Sequence, residues 1–365
     1  TRINDAVTAA PVGSLIAIAA GRYDEDVLSF ETFRFWGRCP EMVELAGVGV
    51  EVGTLDLRGS GSEVHTLAIT GPGAGYVQTT AVDVTVDRVW IHDTGGRGLT
   101  LQDDFGPPSV EIRGSLVEGA GSNAAFLHGA TATIEASVLR NSQPDGRGVS
   151  VQSSASTGRR SSLTLRSSVV ERLRSEAIVV VGSDAALEGV VIGDTAVGAD
   201  GLGGYGLSIR EHPVSGERAS VSARSVIVRR SVDLGVLVAG ADATLEAVTV
   251  RDTQPALAGD FGHGVLALST PESAERAFVR VLRSRLSGNH EVAVAVQDSE
   301  VVVEASLIED TATRADGSFG DGVAVVSTFK PAVATVTTSL VDGNLRAGVA
   351  SFGGQLSLQA TSLAC

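Results

Sequence analysis

The stretch that decides the fold is DTQPALAGDFGHGVLAL, residues 252–268. The same skeleton stands 58 residues earlier as DTAVGADGLGGYGLSIR (194–210) and 58 residues later as DTATRADGSFGDGVAVV (310–326). Three markers align without a gap: Asp194-Thr195, Asp252-Thr253 and Asp310-Thr311; then Gly201, Gly259 and Gly317; then Gly204-Tyr205-Gly206, Gly262-His263-Gly264 and Gly320-Asp321-Gly322. Gly146-Arg147-Gly148 lies one further period upstream, and Gly96-Arg97-Gly98 joins the series at a shorter spacing. Self-similarity at a fixed period marks a repeat architecture.

Each triplet opens an apolar run, such as Leu99-Thr100-Leu101 or Val323-Ala324-Val325-Val326. Between these lie tighter segments, Ser161 to Ser183, Ala219 to Ala241 and Ala277 to Ser299, each holding three short β-type runs. The 58-residue unit therefore reads as two coils, one tight and one carrying a loop. A strand of three to five residues cannot bury its apolar face alone, whereas stacked coils pair every strand and fill a continuous interior. Alternation in Thr133-Ile134-Glu135-Ala136 and Val301-Val302-Val303-Glu304 sends every second side chain inward. Gly and Asp-Gly at the corners supply positive φ.

The predicted fold is all-β: a single-stranded, right-handed parallel β-helix of about a dozen coils, a rod of roughly 60 Å at the ~4.8 Å strand spacing. A leucine-rich repeat lacks its Leu and Asn steps here, a propeller needs a longer antiparallel unit, and a left-handed hexapeptide helix needs a six-residue step. Ile3, Ala6, Val7 and Ala10 fall at helical spacing before Pro11, so a short helix is expected to cap the first coil. Ser14 to Ala19 and Val27-Leu28 read as the strands that follow. The chain is read as one continuous domain, with the cap and first coils in 1–60 and repeats over 61–365, clearest in 141–355.

Composition agrees. The chain is 43% hydrophobic but only 4% aromatic, with 44 Gly and one Met, so Val, Ala and Leu must do the packing. The formal net charge of −15 argues against nucleic acid and against anionic membranes as partners. No apolar run approaches the ~18 residues that would span a bilayer. Cys39 and Cys365 lie near opposite ends of the chain, too far apart in a solenoid for a disulfide. The abrupt ends lead us to expect a chain that continues past Cys365 and that has lost an upstream leader.

Ile3-Asn4-Asp5-Ala6-Val7, followed by the run from Ser14 to Glu25 (SLIAIAAGRYDE), resembles the entry of pectate-lyase-like right-handed parallel β-helices. The later coils resemble generic β-helix repeats of bacterial surface and secreted proteins. That superfamily holds pectate lyases, polygalacturonases, pectin methylesterases, epimerases, tailspikes and adhesins, so the resemblance implies a fold shared by enzymes and non-enzymes. Gly262-His263-Gly264 resembles the Gly-His-Gly of polygalacturonases, but the accompanying Asn-Thr-Asp and Arg-Ile-Lys are missing. The plainer reading places His263 in a column with Tyr205 and Asp321, between structural glycines. The loop aspartates are dispersed singly, which favours turn formation over a calcium site; Asp260 and Asp316 are the weak calcium candidates, and no other cofactor is expected. His92 is expected at a coil corner.

Because the loops fall at matching points of alternate coils, the triplet centres Arg97, Arg147, Tyr205, His263 and Asp321 are expected to form a row suited to an extended polymer. The competing reading is that these are tight turns whose central residue faces water. The expectation for function is a non-catalytic extracellular or cell-surface solenoid with an adhesive, scaffolding or glycan-contacting role. A polysaccharide lyase or glycosidase on the loop-bearing face is the alternative.

Overall fold

The computed structural model describes residues 2–143, 146–256, 261–270 and 275–364. Short strands, mostly three to six residues each, stack coil upon coil into three parallel ladders. The chain is an all-β, right-handed parallel β-solenoid of about 13 turns with one short N-terminal helix, as the repeat predicts. Its contacts divide it into two units, Thr1–Leu173 and Arg174–Cys365.

In the first unit, ladder A contains Val84–Asp87, Ser109–Arg113 and Thr131–Glu135; ladder B contains Trp90–Thr94 and Leu116–Glu118; ladder C contains Leu99–Gln102, Ala125–His128 and Val149–Gln152. Pairing is in register, so identical positions of successive coils superpose. Leu55, Tyr76, Leu99, Ala125 and Val149 make one buried column of ladder C. The second unit repeats the pattern with aliphatic residues throughout: Ile178, Leu207, Val236, Val265, Val294 and Val323. Stacking like on like keeps each layer the same width, which explains why large rings are scarce.

Helix α1 (Ile3–Ala9) sits against the first strand of ladder C, Val27–Ser29. The buried carboxylate of Glu25 anchors it, accepting the backbone N–H of Ile3 at 2.6 Å and the side-chain amide of Asn4 at 2.8 Å. Ile3 is buried beneath it. The segment Gly21–Asp24 is a strand paired with Val43–Ala46.

The corners differ from expectation in who carries the positive φ. Between ladders A and B the left-handed residue is often not glycine: Arg88, Ala136, Ser167, Ser225, Ala247, Arg283, Ala305 and Thr338 all have φ near 50°. Ala136 is thus a corner rather than part of the alternation. The residue after it is frequently a buried serine, and these serines replace the ladder hydrogen bonds that a corner interrupts. The Ser115 N–H donates to Ser137 Oγ at 3.1 Å, and the Ser137 N–H to Ser168 Oγ at 3.1 Å. In the second unit, Ser284 N–H donates to Ser306 Oγ at 3.0 Å and Ser306 N–H to Ser339 Oγ at 3.1 Å.

The triplet glycines do two different jobs. Gly204, Gly262 and Gly320 take φ of 101°, 93° and 98°. The second glycines, Gly206, Gly264 and Gly322, have no room for a side chain: an added Cβ would stand 2.7, 2.6 and 2.5 Å from a backbone oxygen of the next coil.

Replacing Ser306 with Ala strands the buried Ser284 N–H. The expected loss is about 1–3 kcal/mol, read by urea denaturation, with the far-ultraviolet spectrum unchanged.

Candidate functional site

Part of the outward face of ladder C in the second unit is apolar. Leu237, Leu266, Ala295 and Ala324 are in register along it, and the neighbouring side chains of Tyr205 and Phe319 cover it. A cavity of about 380 Å3 opens on this face. Its floor is Leu266, Val292, Ala295 and Ala324, and its walls include Phe261, Phe319 and Phe352.

The charged groups of the cavity are paired with one another. Glu291 is about 1% exposed, forms an ion pair with Arg314, and has His263 Nδ1 3.6 Å away. Asp321 is wholly buried and takes a two-pronged contact from Arg346, whose Nε donates to Oδ1 at 2.8 Å. Both guanidinium groups lie over the Phe319 ring, Arg314 at 4.5 Å and Arg346 at 5.0 Å from its centroid, as cation–π contacts. Phe261 meets His263 edge-on at 5.5 Å. Three of these residues occupy a left-handed backbone: Phe261 at 66°, Glu291 at 60° and Phe319 at 60°. Such conformations cost of order 1–3 kcal/mol each and persist only where the surroundings impose them.

Burial pushes the His263 imidazole down to about 4, and the positive charge of Arg314 adds to the effect. One coil before His263, Asp233 is half-buried; burial, together with the charge of Glu291, pushes its carboxyl up to about 6. Asp233 and Glu291 are separated by the same 58-residue period as the triplets, and each precedes the opening residue of its ladder C strand.

The triplet centres fall as follows. In the second unit Tyr205, His263 and Asp321 open strands of ladder C on alternate coils, with Leu234 and Val292 at the matching positions between them. His263 and Asp321 do not face water; both are buried, one against Glu291 and one against Arg346. Tyr205 is half-buried, and Arg210, paired with Glu176, lies 5.7 Å from its ring. In the first unit Arg147 is exposed and Arg97 half-buried, on alternate coils with Asn123 between them. His92 is not at a corner; it lies within the strand Trp90–Thr94, stacked on Trp90 at 3.9 Å.

Of the calcium candidates, Asp260 lies outside the described residues. The Asp316 carboxylate is engaged locally: it accepts from the Ser318 N–H at 2.8 Å and hydroxyl at 2.6 Å, which lowers its pKa. Among the described residues no group of three or more His, Cys, Asp or Glu is placed to hold a metal ion. Cys39 is a half-buried free thiol, and Cys365 lies outside the described residues. No helix of the described residues is long and apolar enough to cross a membrane.

Sequence reading missed Glu291, Arg314, Phe319 and Arg346. One signal was present: Phe261 and Phe319 each precede a Gly-x-Gly triplet at the 58-residue spacing. The ion pairs had none, because Arg314 and Arg346 reach their carboxylates across coils.

No protein-family model and no curated protein matches the sequence. Solved structures do resemble it. The catalytic unit of a GH87 α-1,3-glucanase from Streptomyces thermodiastaticus aligns with TM-score 0.61 at 13% identity, over 99% of this chain and 65% of that one. The mannuronan C-5 epimerase A-module of Azotobacter vinelandii aligns with TM-score 0.51 at 13% identity, over 98% and 91%. The N-terminal fragment of gene product 12 from bacteriophage Phi29 aligns with TM-score 0.62 at 11% identity, over 93% and 66%. At such identities the likeness is one of fold. The chain has a parallel β-helix architecture and spans about 65% of the length of the glucanase catalytic unit.

His263 should stay neutral down to about pH 4. An imidazole whose folded pKa lies below the ordinary 6.5 binds fewer protons folded than unfolded across that interval, so its contribution disfavours the fold as pH falls from 6.5 to 4. Thermal melts of wild type and His263→Gln should therefore converge or cross over that window. A constant offset would place the group in water.

Proposed function

We propose that this chain is a glycan-contacting β-solenoid of the secreted or cell-surface kind, and that the phenylalanine-walled cavity of its second unit holds part of a polysaccharide without turning it over. The observation that carries this reading is the state of the cavity's carboxylates. Glu291 and Asp321 are buried and tied to Arg314 and Arg346, so neither is free to protonate a glycosidic oxygen or to activate water. The exposed resources are those of binding: aromatic faces, guanidinium edges and an apolar floor. The names of the similar structures, a glucanase and an epimerase, support a carbohydrate partner. The acidic net charge disfavours nucleic acid.

Turnover is the second reading, and Asp233 favours it. A half-buried carboxyl raised to about 6 is in the range of a general acid, and it lies one coil from His263.

Binding to a panel of neutral and acidic polysaccharides, with and without calcium, is the test. Phe319→Ala should weaken retention of the bound glycan about tenfold, the scale of one lost aromatic contact of ~1.4 kcal/mol. No retention of any glycan by the wild type sinks the reading. Release of reducing or unsaturated ends that stops in Asp233→Asn would establish the second reading instead.

A further inference from the structure

The lining of the second unit's cavity is specific in what it lacks. Among the described residues, its polar side chains are His263, Glu291, Gln297, Arg314 and Arg346. Four of these are turned on one another or on Asp321: His263 faces Glu291, Glu291 holds Arg314, and Arg346 holds Asp321. Gln297 is exposed at the end of its strand. The rest of the lining is Leu, Val, Ala and Phe. A bare sugar ring lowered onto this floor would bury hydroxyls without partners, and a buried hydroxyl without a partner opposes binding.

The cavity is also held open. Phe261, Phe319 and Phe352 are three of the chain's ten phenylalanines. Phe261 and Phe352 are 44% and 49% exposed, although the apolar floor of Leu266 and Ala295 lies within the same cavity. Each ring is tied to its wall. Phe261 stands edge-on to His263, Phe319 lies under Arg314 and Arg346, and Arg346 also lies 5.8 Å from the Phe352 centroid. The left-handed backbone at Phe261 and Phe319 fixes where two of these rings start. Walls anchored in this way do not collapse onto the floor, so the apolar space is preformed. At about 380 Å3 it is near the small end of ligand pockets, which begin at roughly 300 Å3, and it suits one ring-sized group rather than a run of sugars.

We infer that the cavity receives an aromatic acyl group esterified to a glycan, with the sugar chain lying outside it across the exposed rim. This rests on the glycan-contacting reading above and assigns it a ligand class, polysaccharide bearing aromatic esters. An aromatic group is favoured over an aliphatic one of equal size. Its face and edge match phenylalanine rings in offset or edge-on contact, and its face also attracts a guanidinium. The ester is neutral, so it needs no counter-charge and leaves both ion pairs undisturbed. Arg346 contacts Asp321 through Nε and Nη2, which leaves Nη1 to donate to the ester carbonyl.

The experiment is calorimetric titration of the whole chain with an α-glucan trimer, the same trimer carrying one benzoyl ester, the same trimer carrying one cyclohexanecarbonyl ester, and methyl benzoate. The benzoylated trimer should bind about 10- to 100-fold more tightly than the bare one, the scale of burying one ring. The cyclohexyl ester should fall between them. Ala295→Met fills the cavity from its floor and should remove the benzoyl advantage. Phe352→Leu, at an exposed position, keeps the wall apolar and should bring the benzoyl and cyclohexyl affinities together; it serves as the readout if Ala295→Met fails to fold. Equal binding of bare and benzoylated trimers, lost in Phe319→Ala, overturns the inference and leaves the proposed function intact. A benzoyl advantage unchanged in both variants overturns it too, since the group is then held elsewhere. Methyl benzoate bound with no trimer bound overturns it, because the group is then not read as part of a glycan. So does the absence of any binding, and the proposed function falls with it only if the polysaccharide panel is also blank.

Discussion

Everything in this molecule depends on in-register pairing between consecutive coils. A parallel strand of three to six residues contributes little by itself, and its apolar side chains have no partner within the coil. Registered stacking supplies both at once: each backbone N–H finds a carbonyl one coil away, and each inward side chain meets its own counterpart above and below. The columns Leu55–Tyr76–Leu99–Ala125–Val149 and Ile178–Leu207–Val236–Val265–Val294–Val323 are the outcome. Where a corner breaks the ladder, serine hydroxyls carry the hydrogen bond across it. Register then fixes what happens outside, since an outward residue is placed as firmly as the inward one beside it.

That coupling explains how the cavity of the second unit arises. Its floor is simply the outward row of ladder C, occupied here by Leu266, Ala295 and Ala324 instead of polar residues. The loops on alternate coils bring Phe261 and Phe319 over this row, and the intervening tight coil contributes Glu291 and Val292. Looped and tight coils, interleaved, compose one surface. The backbone strain at Phe261, Glu291 and Phe319 falls on the residues that wall it, which is where a rigid scaffold can sustain it.

Most of the fold was legible in the sequence because the repeat writes it several times. The period, the strand positions and the capping helix all follow from apolar spacing and from the Asp-Thr and Gly-x-Gly markers. The corners were only half legible. Glycine announces a left-handed residue, but Arg88, Ala136 and Ser167 do not, since the geometry there is imposed by stacking rather than by the residue's own preference. The site was least legible. Tyr205, His263 and Asp321 could be set in one column from their spacing, yet whether a side chain at that column faces water depends on loops of other coils. Arg346 closes over Asp321, and Glu291 with Arg314 closes over His263; neither pairing has a sequence interval that distinguishes it from chance.

The left-handed corner residues have one more consequence. Because each corner is satisfied by its own coil and the one stacked on it, a loop inserted beside a corner leaves the backbone pairing two coils away unchanged. The length of one loop is therefore nearly independent of that of the next, and only the side chains that meet over the ladder couple them. A lineage can rewrite what this surface touches one turn at a time, by swapping single loops, while the stack that carries them goes on folding as before.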